Sequence, residues 1–244
     1  MREWIYGRNP VYEVIKANRR HLFQIWVAEG VQEKGRLKEV IQICRNKDLP
    51  VNYVPRHKLE KIGHPHQGVA LEASAYPYRS LDEMFERAQS SGKPPFFLIL
   101  DTLQDPQNLG SLLRTAEAVG VHGVLLPLKR TVTVTPSVVA ASSGASEHLL
   151  ITQANLAQAI TNLKQNDVWV VGLDGGPESQ PAAQVDLDGP TALVVGSEGQ
   201  GMRRLVRESC DVLVRLPMLG KVESLNAAVA GSVVLYLALT ARGE

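Results

Sequence analysis

An α/β chain with a mostly parallel sheet flanked by helices, preceded by a small separate α/β unit, is the fold class this sequence predicts. Three observations predict it. From Phe96 onward, short continuous apolar runs alternate with stretches of helical period, which is how strands buried on both faces look in sequence. Upstream, residues 76–95 break that pattern with Pro, Ser, Gly and charged residues. Charge is also divided unevenly: residues 1–75 hold 13 Lys and Arg against 8 Asp and Glu, whereas residues 76–244 hold 13 against 17. The expected organisation is an N-terminal unit over 1–75, a linker over 76–95 and a larger domain over 96–244.

In the first unit, Asn9-Pro10 carries the cap and first-turn proline of a helix start, followed by the apolar positions Val11, Val14 and Ile15. Phe23 to Val27 predicts a strand, about Glu33 to Asn46 an amphipathic helix, and Val51–Val54 and Gly68–Leu71 two further strands. In the linker, Ser80 to Glu83 reads as a capping box. The larger domain offers strands at Phe96–Leu100, Gly123–Leu126, Leu149–Thr152, Val168–Leu173, Thr191–Val195 and Val212–Leu216. Helices fill the gaps: one opened by Asp105-Pro106 and running to Val119, where Gly120 stops it, one opened by Asn155, and a last one from about Ser224 to Ala241.

With 244 residues, 44% hydrophobic and 21% charged, the composition is that of a folded protein and argues against disorder. The start Met1-Arg2-Glu3-Trp4 lacks a signal-peptide pattern and the apolar runs are short, so a cytoplasmic protein without membrane spans is expected. Cys44 and Cys210 lie far apart and outside any metal-ligand spacing, which predicts neither a disulfide framework nor a metal site. The basic first unit, with Trp26, Tyr53 and four of the six histidines, fits a phosphate-contacting module or, equally, a solvated surface.

Three clusters follow strand candidates, where α/β sheets place ligand sites. The first, Asp101 to Gly110, continues into Arg114, Thr115 and Glu117; Asn108, Arg114 and Glu117 are polar on an otherwise apolar helix, whose alternative reading is an Arg114–Glu117 surface pair. The second, Gly196-Ser197-Glu198-Gly199-Gln200-Gly201, is a glycine-rich turn before a basic helix. Its glycine order is wrong for a dinucleotide fingerprint, and it lacks the Lys-Ser/Thr ending of a P-loop. The third runs from Arg215-Leu216-Pro217-Met218 to Glu223-Ser224-Leu225-Asn226. Ser224 is expected to cap the last helix, and Asn226 is an amide with no packing reason to stand in an Ala/Val-rich first turn.

In order and spacing, these clusters resemble the three motifs of the SpoU (TrmH-like) branch of the SPOUT RNA methyltransferases over residues 96–241. The patterns L-D-x-x-x-D-P-x-N-L-G-x-x-x-R-T-A, G-S-E-G-x-G and L-P-M-x(5)-S-L-N all coincide. Ile5 to Val11 and His66 to Val69 resemble the substrate-binding domain of enzymes that methylate a guanosine 2′-hydroxyl in 23S (large-subunit) rRNA. The resemblance implies a C-terminal trefoil knot, which periodicity does not reveal, a homodimer, and S-adenosyl-L-methionine as methyl donor. It puts the donor on backbone around Gly196, Leu216 and Leu225, with Gly199 and Met218 close by. Arg114 matches the catalytic arginine, and Asn108, Glu198, Ser224 and Asn226 the other motif positions. Lys221-Val222-Glu223 reads as a variable stretch bearing on RNA contact.

The implied reaction is an in-line displacement in which the protein positions donor and hydroxyl. A guanidinium is a poor base, so Arg114 is expected to clamp the phosphate beside the target ribose and to stabilise charge growing on the oxygen. Ribosomal RNA is the expected partner, a tRNA ribose the alternative target, and no metal is required. Two further readings stand beside it: a non-catalytic RNA-binding protein of the same fold, against which the five intact motif residues argue, and a nicotinamide-dependent oxidoreductase, against which the glycine order argues.

Overall fold

The computed structural model describes residues 1–222 and 224–243; Glu223, in the third sequence cluster, and Glu244, the last residue of the larger domain, lie outside the described residues. The chain forms two units, one of residues 1–77 and 134–148, the other of residues 78–133 and 149–244.

The first unit runs β1 (Arg2–Tyr6), α1 (Arg8–Ala17), β2 (Leu22–Ala28), α2 (Arg36–Asn46), β3 (Val51–Val54), α3 (Arg56–Glu60) and β4 (Val69–Ser74). Among the described residues it holds a four-stranded sheet in the order β1-β4-β2-β3, with β4 antiparallel to both neighbours and β2 parallel to β3. Helix α1 begins two residues earlier than the Asn9-Pro10 signal implies: Gly7 is its cap, and Pro10 sits buried in the first turn, where its missing N–H has no intrahelical partner to lose.

The second unit begins with α4 (Leu81–Ser91), β5 (Phe96–Leu100), α5 (Pro106–Ala118) and β6 (Gly123–Pro127). The capping box at Ser80 and Glu83 closes in both directions, and Asp105 caps α5 through Gln107 N–H with Pro106 at the first helical position. The chain then contributes α6 (Pro136–Ala141) and a 3₁₀ turn at Ala145–His148 to the first unit. Within that unit Arg20 is buried and bidentate to Glu147, Nε at 2.9 Å and Nη2 at 2.7 Å, while its Nη1 donates to Glu3 and to the Ser74 carbonyl, both at 3.0 Å. Burial opposes the Arg20 charge, and the two carboxylates more than offset it.

The second unit resumes with β7 (Ile151–Ala154), α7 (Leu156–Gln165), β8 (Trp169–Leu173), β9 (Gln180–Pro181), β10 (Thr191–Val195), α8 (Arg204–Ser209), β11 (Val212–Arg215) and α9 (Ala227–Ala241). Its described strands form one parallel seven-stranded sheet in the order β7-β6-β5-β10-β8-β11-β9. β5, β6 and β10 are buried at every position, as uninterrupted apolar runs require. Because the strands are parallel, the loops after β5, β8, β10 and β11 leave from the same edge, and β10, in the middle, delivers the glycine turn there.

Helix α9 starts at Ala227, and its cap is Asn226, not Ser224: the Asn226 Oδ1 accepts from Ala228 N–H at 2.9 Å and Val229 N–H at 3.2 Å. The physical reason is that an Asn one position before the first helical residue satisfies orphan N–H groups at least as well as a Ser does. Burial pushes the Cys44 thiol up to about 11 and, with Asp211 adding to it, the Cys210 thiol up to about 12; both cysteines are free. No helix among the described residues is long and apolar enough to cross a membrane.

Candidate functional site

The glycine turn closes on itself: Ser197 N–H donates to the Gly201 carbonyl at 3.1 Å and Gly201 N–H returns to the Ser197 carbonyl at 3.0 Å. A Cβ on Gly196 would overlap the backbone of Gly201 and Met202, so the turn folds this tightly only with glycine there. Gly199, at φ 77°, has open space where a Cβ would point, which leaves the outer face of the turn as bare backbone.

That turn is one wall of a cleft of about 1150 Å³ lined by residues 173–176, 195–202, 215–218 and 224–227, with Arg207 and Ala230. Nine of the ten residues singled out in the sequence are thus brought to one cleft or its wall. Gly196, Glu198, Gly199, Leu216, Met218, Ser224, Leu225 and Asn226 line it. Asn108 reaches it by hydrogen bonding to Glu198 and Asn226. Arg114 does not line the cleft; it is exposed on α5, about 9 Å along the helix axis from Asn108.

The three polar side chains interlock. Asn226 Nδ2 donates to Asn108 Oδ1 at 3.0 Å and also to Glu198 Oε1, and Asn108 Nδ2 donates to the same Glu198 oxygen at 3.1 Å. With its own Oδ1 capping α9, Asn226 ties together the first turn of α5, the glycine turn and the start of α9. A one-residue shift of any of these segments would break the junction.

The loop after β8 is a part of the cleft that sequence reasoning missed, although Asp174-Gly175-Gly176 directly after an apolar strand was a usable signal. Asp174 accepts from Arg207 Nε at 2.6 Å and from Gly176 N–H at 2.7 Å, and Arg207 reaches Glu178 at 2.8 Å. Burial raises the Asp174 carboxyl, but the hydrogen bonds from Arg207 and Gly176 win and hold it below the ordinary aspartate value. The pair therefore stays charged at neutral pH and is lost only as pH falls through that lowered value. Among the described residues no group of three or more His, Cys, Asp or Glu is arranged to hold a metal ion.

These features define the class: an α/β protein with a ligand cleft at the carboxyl ends of its parallel strands, carrying a separate cationic N-terminal segment. Comparison with known proteins makes it specific. Residues 95–236 match the SpoU rRNA Methylase family, and residues 4–79 match the domain described as RNA 2′-O ribose methyltransferase substrate binding. YacO of Bacillus subtilis (strain 168), named for the TrmH family of tRNA/rRNA methyltransferases, is 44% identical over 236 residues, covering 96% of this chain and 94% of its own. A crystal structure of an RNA 2′-O ribose methyltransferase superposes with a TM-score of 0.80 at 26% identity, covering 100% of this chain and 90% of that one. The AdoMet complex of the SpoU methyltransferase AviRb from Streptomyces viridochromogenes shares the fold, with a TM-score of 0.82 at 22% identity over 99% of this chain and 90% of that one. The chain belongs to the SpoU rRNA Methylase family and is an RNA methyltransferase of its TrmH-like branch.

Proposed function

We propose that the chain transfers the methyl group of S-adenosyl-L-methionine to a ribose 2′-hydroxyl of RNA, its target being a guanosine of 23S rRNA, and that it acts in the cytoplasm. The observation that carries this reading is the Asn108–Glu198–Asn226 junction on the wall of the cleft. The cleft fits a donor of this kind: its turns present backbone, and Leu216, Met218 and Leu225 supply apolar surface for a flat heterocycle. Bound there, the sulfonium supplies an electrophilic methyl with its leaving group already attached.

The protein's own part is positioning. Backbone around Gly196, Leu216 and Leu225, with Gly199 and Met218 beside it, holds the donor, and Ser224 lies on the same wall. The junction fixes that wall against α5, which also carries Arg114. An arginine outside the donor cleft is suited to gripping the RNA rather than the donor, so Arg114 clamps the phosphate next to the target ribose and steadies charge on the reacting oxygen. The trefoil knot of the C-terminal segment belongs to this reading.

A homodimer is part of the proposal as well. Helix α9 is apolar on nearly every face, yet Val229, Val233 and Tyr236 are 50%, 41% and 52% exposed beside α5. A helix of that composition calls for a covering surface.

The experiment is to map 2′-O-methyl groups on rRNA and tRNA from cells with and without the gene. The proposal expects one guanosine of 23S rRNA to lose its methyl group and tRNA to be unchanged. A missing tRNA methyl with intact rRNA would move the target to tRNA, which the name of YacO leaves open.

A further inference from the structure

Adjoining the cleft at Ser197, Glu198 and Gln200 lies a second pocket, of about 400 Å³, formed within the same unit by the loop after β5, the glycine turn and the segment around Arg130. Asn108 and Glu198 face it, so the junction that borders the donor cleft borders this pocket too. An in-line displacement needs its nucleophile on the side of the methyl opposite the leaving group, and a pocket that meets the cleft at Ser197, Glu198 and Gln200 can hold the RNA strand beside that approach.

The pocket sets two carboxylates beside two guanidiniums, and the guanidiniums are the groups with donors to spare for an anion. Two carboxylates on its rim are already engaged: Asp105 caps α5, and Glu198 accepts from two amides. The two guanidiniums are differently placed. Arg203 is held by its inner edge, its backbone N–H and Nε each donating at 2.7 Å to the fully buried Asp101, while its side chain remains 44% exposed. Among the described residues its Nη donors meet no acceptor. Arg130 is exposed, likewise meets no acceptor among the described residues, and its loop is tied to the pocket by Thr131 Oγ1 and Val132 N–H, both donating to the Leu103 carbonyl at 2.9 and 2.8 Å. Arg130 and Thr102, both lining the pocket, each take φ 60°, a conformation that non-glycine residues adopt rarely and that concentrates at functional positions.

We propose that this pocket is the subsite for the RNA strand at the target nucleotide, with Arg130 and Arg203 gripping a backbone phosphate and Asp101 acting as the positioning residue that aims Arg203. The inference rests on the methyl-transfer reading above for the identity of its ligand. A planar fork with its Nε edge pinned presents two parallel donors outward, which suits a phosphate and costs little ordering on binding.

The test uses the full chain, 23S rRNA transcribed in vitro, and the variants R130Q and R203Q. Binding is measured across a salt series, and transfer kinetics are measured beside it. Each substitution is expected to reduce the slope of log K against log salt by about one. Each is also expected to raise KM for RNA about tenfold while kcat and donor affinity stay within about twofold, the pattern of lost uniform binding. Donor affinity checks the fold of R203Q, which leaves the Asp101 carboxylate short of a partner; R130Q disturbs no such pair. An unchanged slope and KM in R130Q would overturn the assignment. A wild-type chain that binds with the steeper slope but transfers no methyl would contradict the methyl-transfer reading and leave the phosphate subsite standing.

Discussion

Replacing Asn226 by alanine is expected to lower methyl transfer about 100-fold, the penalty of displacing a positioned group by an ångström or so, with about 1 kcal/mol of stability lost with the helix cap. Two effects are mixed in that variant, because the same side chain caps α9 through Oδ1 and bonds Asn108 and Glu198 through Nδ2. Asn226→Asp separates them. A carboxylate caps a helix as well as an amide does, so the melting temperature should hold within a few degrees. Against Glu198, however, it sets a like charge where a donor stood. Transfer should therefore fall in Asn226→Asp as far as in Asn226→Ala; near-normal turnover in the aspartate variant would show that the cap alone matters and that the junction has no part in the chemistry.

The second large effect is on stability. Arg20→Met leaves the Glu147 carboxylate buried without its bidentate partner, and breaking a buried pair from one side costs about 3–5 kcal/mol. The double variant Arg20→Met/Glu147→Met removes both charges and should recover most of that loss, since an apolar pair of similar volume is often as stable as the ion pair it replaces. Because the chain has two units, the measurement is hydrogen exchange resolved by segment rather than a single melting temperature. Faster exchange in residues 1–77 and 134–148 of Arg20→Met, with the glycine-turn segment unchanged, is the expected result. Equal exchange in wild type and Arg20→Met would mean the pair contributes nothing.

Much of the second unit was legible in the sequence because its signals are local. Phe96–Leu100 and Thr191–Val195 are uninterrupted apolar runs of strand length, and Asp105-Pro106, Ser80–Glu83 and Asn155 are caps whose chemistry acts within three residues. Strand order was not legible, since β10 inserts between β8, 22 residues upstream (Trp169↔Thr191), and β5, 95 residues upstream (Phe96↔Thr191), a pairing that no local signal carries. β1 went unread for another reason: five residues at the chain start, with Trp4 and Ile5 flanked by charge, make a weak alternating pattern. Residues 134–148 join the first unit through Arg20–Glu147, a pairing of two charged residues that a linear reading assigns to the surface.

At the site, residue types were legible and their arrangement was not. Asn226 shows the difference: its polarity marks it out in an apolar segment, but the helix starts two residues later than the Ser224 signal implies, which hides its capping role. The position of Arg114 outside the cleft has the same origin, because motif spacing says that residues act together without saying from which side. Asp174 escaped notice because its importance lies in its partner Arg207, 33 residues away.

The measurement that tests the central claim most directly is the alkaline hydrolysis of RNA labelled by the purified chain with S-adenosyl-L-methionine carrying a tritiated methyl group. Alkali cleaves RNA through attack by a free 2′-hydroxyl, so a methyl group on that oxygen blocks cleavage at its own nucleotide. The account predicts that the label remains in a dinucleotide resistant to alkali, with guanosine as its 5′ member. Label released in mononucleotides would put the methyl group on a base and contradict it.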